Sequence, residues 1–356
     1  MERDFINRRQ MLALAFVALL SPVARRFPSA LVAFSGSAAW LAAPVAALPV
    51  LLMIFFMRAI LRGGRSLGEV FELSFGKWIG RVAVIALSLW LCFYGGFVLR
   101  SAAYRFTSTV YPSASAWIFI IFSAAACLPI ALGKFSSVAR MAVLFRPPLL
   151  AALAIVFIFA IADGDFRGIF TFKESDSVPV LKSAFAAVNT LSIVCYLGFG
   201  ENRCNEEWKS SPYIIWASVL LAATELLCLS CLGIFGAELT FKLNYPFFML
   251  VRDINVFNSF ARMEALVLAL WMFADAVLFS LLLWIASRNF SRCLNIGSAP
   301  CAIAATALSA AIGLALPSDM LGVGLFSEKI VPFGNAIIIF GLLPFVFLLG
   351  RIRKKI

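Results

Sequence analysis

The chain has 356 residues, 63% of them hydrophobic and only 13% charged, and its mean hydropathy is +0.98. Soluble domains carry about 25% charged residues, so a soluble single-core fold is excluded. The formal net charge of +12 comes from basic residues set between apolar runs, which is the pattern of membrane loops and not of a nucleic-acid-binding tail.

The apolar runs are about 18–25 residues long, enough to cross the hydrocarbon of a bilayer. A backbone in lipid must satisfy its own polar groups, so these runs are expected to be helices. In chain order the spans are expected at about 10–32, 38–61, 79–108, 115–133, 142–163, 180–200, 213–237, 262–287, 299–317 and 331–350. The connections are short, so residues 1–356 read as a single transmembrane domain. The first run lacks a small-residue cleavage site and is expected to be a span, not a signal peptide. Counting Lys and Arg places both termini in the cytoplasm, as in the terminal group Arg351, Arg353, Lys354 and Lys355. An even number of spans agrees with that.

The sequence has no histidine. That removes the usual general base, the commonest proton shuttle and the commonest metal ligand. There is no H-E-x-x-H and no G-x-S-x-G, so an enzyme is not expected, nor is a metal or a cofactor. Eight cysteines are scattered. Cys228 and Cys231 have C-x-x-C spacing, but without a second pair they read as small residues on a buried helix face.

Two spans carry breakers. The first contains SPVARR, which sets Arg25 and Arg26 between Pro22 and Pro28. An arginine at a helix centre costs about 2.5–3.5 kcal/mol on insertion scales, so the pair either faces a polar cavity at a broken helix or marks the helix end. The sixth contains YLGFGENR, where Gly198 and Gly200 flank Phe199 and Glu201 follows. Breaks in spans one and six, five apart, point to two five-span repeats of inverted topology, about 10–163 and 180–350. The fold class is therefore all-α polytopic, a five-plus-five inverted repeat with broken helices 1 and 6.

Ionisable residues inside spans are functional candidates by default. Arg100 and Tyr104 lie four apart and share a helix face. Gly95 and Gly96, beside Tyr94, suit close helix packing. Glu225 in the seventh span and Asp275 in the eighth each need an arginine, a backbone donor or a proton. Arg262 and Glu264 read as helix-end electrostatics.

Four segments then carry a resemblance. INRRQM opens the chain, and GRSLGEVFELSFGKWIGR joins spans two and three. GKFSSVARMAVLFRPPLL joins four and five, and YPFFMLVRDINVFNSFARMEALVLALWMF leads into span eight. In this order the chain resembles the spore germination permease-like family, the B subunit of Ger-type germinant receptors, within the amino acid/polyamine/organocation superfamily. The resemblance covers essentially the whole chain. It implies a protein of the inner membrane of the bacterial spore that binds a small germinant, typically an amino acid. It also implies two partners, an A-type membrane subunit and a C-type lipoprotein subunit. By the same resemblance the ligand sits between the breaks of helices one and six. That points to Ser21, Pro22, Val23, Ala24, Arg25 and Arg26, and to Tyr196, Leu197, Gly198, Phe199, Gly200 and Glu201.

The first break departs from the superfamily pattern because it has no glycine to expose bare N–H groups. An arginine there supplies a charge-assisted and bidentate partner for a carboxylate instead. Span five has no lysine, which favours sensing over proton-coupled pumping. An amino-acid secondary transporter and a subunit with a degenerate pocket stay open as alternatives.

Overall fold

Hydrocarbon offers the backbone no solvent partner, and the computed structural model is helical almost throughout. It describes residues 4–61, 63–109, 113–205, 210–253, 263–317 and 319–353. Among these there is no strand pairing beyond one isolated parallel bridge between Ile6 and Cys204.

The helices run α1 Arg8–Ser35, α2 Ala42–Ile60, α3 Leu67–Phe75, α4 Lys77–Thr109, α5 Ala116–Leu132, α6 Phe135–Asp163 and α7 Ser177–Leu191. They continue with α8 Ser210–Lys242, α9 Pro246–Asp253, α10 Met263–Leu294, α11 Ser298–Ala315, α12 Met320–Leu325, α13 Val331–Ala336 and α14 Leu343–Ile352. Eight stretches are long and apolar enough to cross a membrane, and α5 is a shorter apolar helix. The first of the eight, Phe27–Ile60, runs the end of α1 into α2 through a 3₁₀ turn at Gly36–Leu41. Counted separately, α1, α2, α5 and the rest match the ten expected spans in order. This is a multi-pass membrane protein.

Three boundaries differ from the sequence expectation. The fifth span begins at Phe135, because Ser136, Val138, Ala139 and Ala142 are buried and continue the helix through what read as a loop. The last span starts early. The short π segments Phe326–Ile330 and Ile337–Leu342 join α12, α13 and α14 into one helical run. The first span was expected to be broken, yet α1 keeps helical backbone from Arg8 to Ser35 with both prolines inside. Its break is one of hydrogen bonding: Pro22 and Pro28 have no N–H, so the carbonyls of Ala18 and Ala24 lose their helical donors. The sixth span changes more visibly. After Leu191 it tightens into twelve residues of 3₁₀ helix, Ser192–Arg203. Runs of that length are uncommon and mark strain or a hinge.

The face of the bundle that holds the N-terminus is tied by short-range chemistry. Asn7 and Gln10 form a reciprocal capping box on α1, with bonds of 2.8 and 3.0 Å. The Asp4 carboxylate accepts from the N–H groups of Phe135 and Ser136 at 2.9 and 3.1 Å and so caps α6. Ile6 pairs with the backbone of Arg203 and Asn205. The amphipathic α3 lies on the same face, where Arg292 reaches Glu72 at 3.1 Å.

Close crossings fall where glycine removes a side chain. A Cβ on Gly96 would lie 2.7 Å from the carbonyl oxygen of Ser309, so α4 and α11 meet backbone to backbone. A Cβ on Gly200 would lie 2.4 Å from the Phe135 ring. At Gly198 the obstruction is the flexible Met57 methyl at 2.7 Å. Gly96→Ala is expected to destabilise the protein by about 1–3 kcal/mol, because the Ser309 backbone cannot yield. Gly341→Ala, with nothing within 4 Å of the new methyl, should leave thermal unfolding in detergent unchanged. Equal melting temperatures for the two variants would refute this account of the crossing.

Candidate functional site

The middle of α1 packs on α10 and reaches α4 through Arg25, and three buried ionisable side chains converge there. Asp275 of α10 is 5% exposed, Arg105 of α4 0% and Arg25 of α1 3%. Arg105 Nη2 pairs with one oxygen of the Asp275 carboxylate, and the Ser21 hydroxyl donates to the other. Ser21 Oγ in turn accepts from Arg25 Nη2 at 3.1 Å, and Arg25 Nε donates to the Ser21 carbonyl at 3.4 Å. One carboxylate thus holds one arginine directly and a second through a serine.

Aromatic groups enclose the cluster. Arg25 lies over the Phe97 ring at 5.4 Å and Arg105 over Phe248 at 5.2 Å. Trp271 donates its indole N–H to the Leu20 carbonyl at 3.2 Å and packs on Phe247 and Phe248. The short helix α9 therefore covers the charge pair with the rings of the YPFFML stretch.

Arg25 also lines a cavity of about 80 Å³, room for several water-sized sites. The other walls are the second half of α1 from Pro22 to Phe34, Tyr94 and Phe97 of α4, Asn189 and Thr190 of α7, and Ser327, Val331 and Asn335 of the last helical run. Among the described residues no carboxylate pairs directly with Arg25; its contacts are Ser21 and the aromatic rings. Beside the cavity, Tyr196 donates to Asn335 Oδ1 at 2.8 Å and accepts from the Trp90 indole at 3.1 Å. Asn335 donates to the Asn189 carbonyl at 3.3 Å. The Asn189 side-chain amide is fully buried and has no partner on either end among the described residues.

The residues singled out from sequence divide into groups. Pro22 and Arg25 line the cavity, Ser21 lies behind Arg25, and Tyr196 reaches it through Asn335. Val23, Ala24, Leu197 and Phe199 are packed in the apolar core. The Arg26 side chain lies outside the described residues, as does Arg262. Gly198 and Gly200 admit α2 and α6, as above. Glu201 is bound by Arg8 through two bonds of 3.0 and 2.8 Å on the N-terminal face, where Arg8 also donates to Tyr213 at 2.7 Å. The structure thus does not bring Glu201 to the cavity. Arg100 donates to the Pro317 carbonyl at 3.0 Å and Tyr104 stacks near Tyr245, so neither meets Asp275. Glu225 lies apart on α8. Sequence reasoning missed Arg105, Asn189 and Asn335. The requirement that Asp275 find a base was the one signal that pointed to Arg105.

A family model described as spore germination protein matches residues 5–317. No curated protein matches the chain in sequence. Among solved structures, MhsT in complex with L-phenylalanine is 15% identical with a TM-score of 0.67, covering 98% of this chain and 90% of its own. Mhp1, a nucleobase-cation-symport-1 family transporter in a closed conformation with bromovinylhydantoin bound, is 13% identical with a TM-score of 0.64, covering 97% and 76%. The fold is thus that of the inverted-repeat transporters. The chain belongs to the spore germination protein family.

Asp275→Asn is expected to destabilise the protein by about 3–5 kcal/mol, since it takes the carboxylate from buried Arg105. Replacing both partners, as Arg105→Met with Asp275→Asn, should cost less than Asp275→Asn alone. Thermal unfolding of the single and double variants in detergent measures this, and additive losses would show that the pair is not coupled.

Proposed function

We propose that the protein is the membrane subunit of a spore germinant receptor, binding a small germinant, an amino acid, in the cavity beside Arg25. It resides in the inner membrane of the spore with both termini cytoplasmic and acts with an A-type membrane subunit and a C-type lipoprotein subunit. The observation that carries the reading is Arg25. A buried guanidinium with no direct carboxylate partner among the described residues, on the wall of a cavity, is a ready partner for the carboxylate of a ligand. Family membership supports the germination role.

The mechanism is population shift: a ligand with higher affinity for one arrangement of the helices favours that arrangement and biases the partner subunits. Arg25 suits this use. Among the described residues it is tied to α10 only through Ser21 and Asp275, so an anion bound to it alters how α1 is held against α10.

A second reading, an amino-acid secondary transporter, draws support from the likeness in fold to MhsT and Mhp1. Purified protein in liposomes, given a panel of labelled amino acids, separates the two. Saturable binding without accumulation fits a receptor; accumulation above equilibrium binding fits a transporter. Under either reading Arg25→Gln is expected to weaken binding about ten- to a hundredfold, the worth of a charge-assisted hydrogen bond. Arg25→Lys should recover part of the loss. Unchanged affinity in a folded Arg25→Gln protein would remove Arg25 from the site.

A further inference from the structure

Glu225 stands midway along α8, well inside an apolar span. It is half-buried, and one of its carboxylate oxygens is buried with no hydrogen-bond partner among the described residues. Elsewhere in the bundle Asp275 is answered by Arg105, Glu201 by Arg8 and Arg100 by the Pro317 carbonyl. An ionisable group at that depth is costly and calls for a partner.

The surface around it is shaped for a helix. Ser218, Ala222, Glu225 and Leu229 follow at spacings of four, three and four, so they form one stripe. Ser218 and Ala222 are exposed, and they are flanked by exposed Ile215, Val219 and Leu226. Small residues four apart let a second helix approach closely in lipid, and a polar side chain beside them then bonds across the interface.

We infer that this face of α8 is the docking site for a transmembrane helix of a different protein, one carrying a lysine or arginine near its midpoint. Charge decides the occupant. A second copy related by two-fold symmetry presents the same patch to itself, setting Glu225 against Glu225. The described residues of α8 offer no base nearer than Lys242 at its far end. A cationic helix satisfies the carboxylate and closes over the small residues. The inference extends the receptor reading, which gives the chain membrane partners, but it uses a surface separate from the Arg25 cavity. Because α8 packs against α1, a helix docked there sits one element from the helix that carries Arg25.

The test uses the full chain in liposomes, donor-labelled, with acceptor-labelled leucine-rich transmembrane peptides. One peptide carries a single central lysine and the other is leucine throughout. Energy transfer is expected to show the lysine peptide binding about tenfold more tightly than the leucine peptide. That preference should vanish in Glu225→Leu and fall in the isosteric Glu225→Gln, which guards against misfolding of the first variant. Equal association of the two peptides overturns the inference, and so does a preference that survives Glu225→Leu. Transfer between copies of the protein that is lost in Glu225→Leu also overturns it, by making a second copy the occupant. Amino-acid binding on the same samples keeps the two ideas apart: loss in Arg25→Gln with the peptide preference intact tests the cavity alone.

Discussion

The arrangement of α1, α4 and α10 depends on where one carboxylate finds its counter-charges. Asp275 is buried within a span, so its charge calls for partners. Arg105 answers from α4, and Ser21 from α1 brings Arg25 within reach. These contacts set the rotation of three helices about their axes, because each side chain leaves its helix in one direction. The apolar surfaces of the same helices would tolerate several rotations, since lipid tails give no hydrophobic drive for one over another. The polar cluster is what selects among them.

That selection explains how α1 can be weakened without a glycine. In the inverted-repeat architecture a discontinuous helix exposes backbone groups to a ligand. Here α1 stays helical, and its prolines remove two donors while keeping the axis. Just before the first proline the helix also meets side-chain donors: Trp271 donates to the Leu20 carbonyl and Arg25 to the Ser21 carbonyl. The cavity consequently offers a guanidinium and amides, and its recognition chemistry rests on side chains that can differ between relatives of the same fold.

Much of this was legible in the sequence, and the limits have a physical pattern. Span number and order follow from run length, because hydrocarbon thickness sets it. Arg25 was visible because charge inside an apolar run has few explanations, and Ser21 was pointed to only by the family resemblance. The helix faces were not visible. Arg100 and Arg105 are five residues apart, about 140° around the helix, and only one of them can meet Asp275. Nothing local says which, since the choice depends on how α4 crosses α10. Glu201 misled for a related reason: it follows the glycines of the sixth span directly, but the 3₁₀ run carries it to the N-terminal face, where Arg8 lies nearly two hundred residues earlier in the chain. Asn189 and Asn335 carry no net charge and gave no signal against an apolar background.

The two charge clusters sit at different heights on α1, and this bears on signalling. Arg8 fastens the start of the helix to the end of the 3₁₀ run and to α8 through Glu201 and Tyr213. Ser21 fastens its middle to α10 through Asp275. Between them α1 has a full set of helical donors; beyond Ser21 it has two prolines. A load applied at Arg25 therefore meets a helix that is stiff toward the N-terminal face and compliant toward the cavity. On the proposed reading, a ligand that draws Arg25 away from Ser21 would bend the compliant half first, and the stiff half would transmit what remains to the Arg8–Glu201 pair. Coupling of this kind needs both anchors to have alternatives of similar energy, since packed interfaces switch between discrete arrangements and do not stretch. The Ser21 bridge meets that condition better than a direct Arg25–Asp275 pair would. Its loss leaves Asp275 still paired with Arg105, so no buried charge is abandoned when α1 moves.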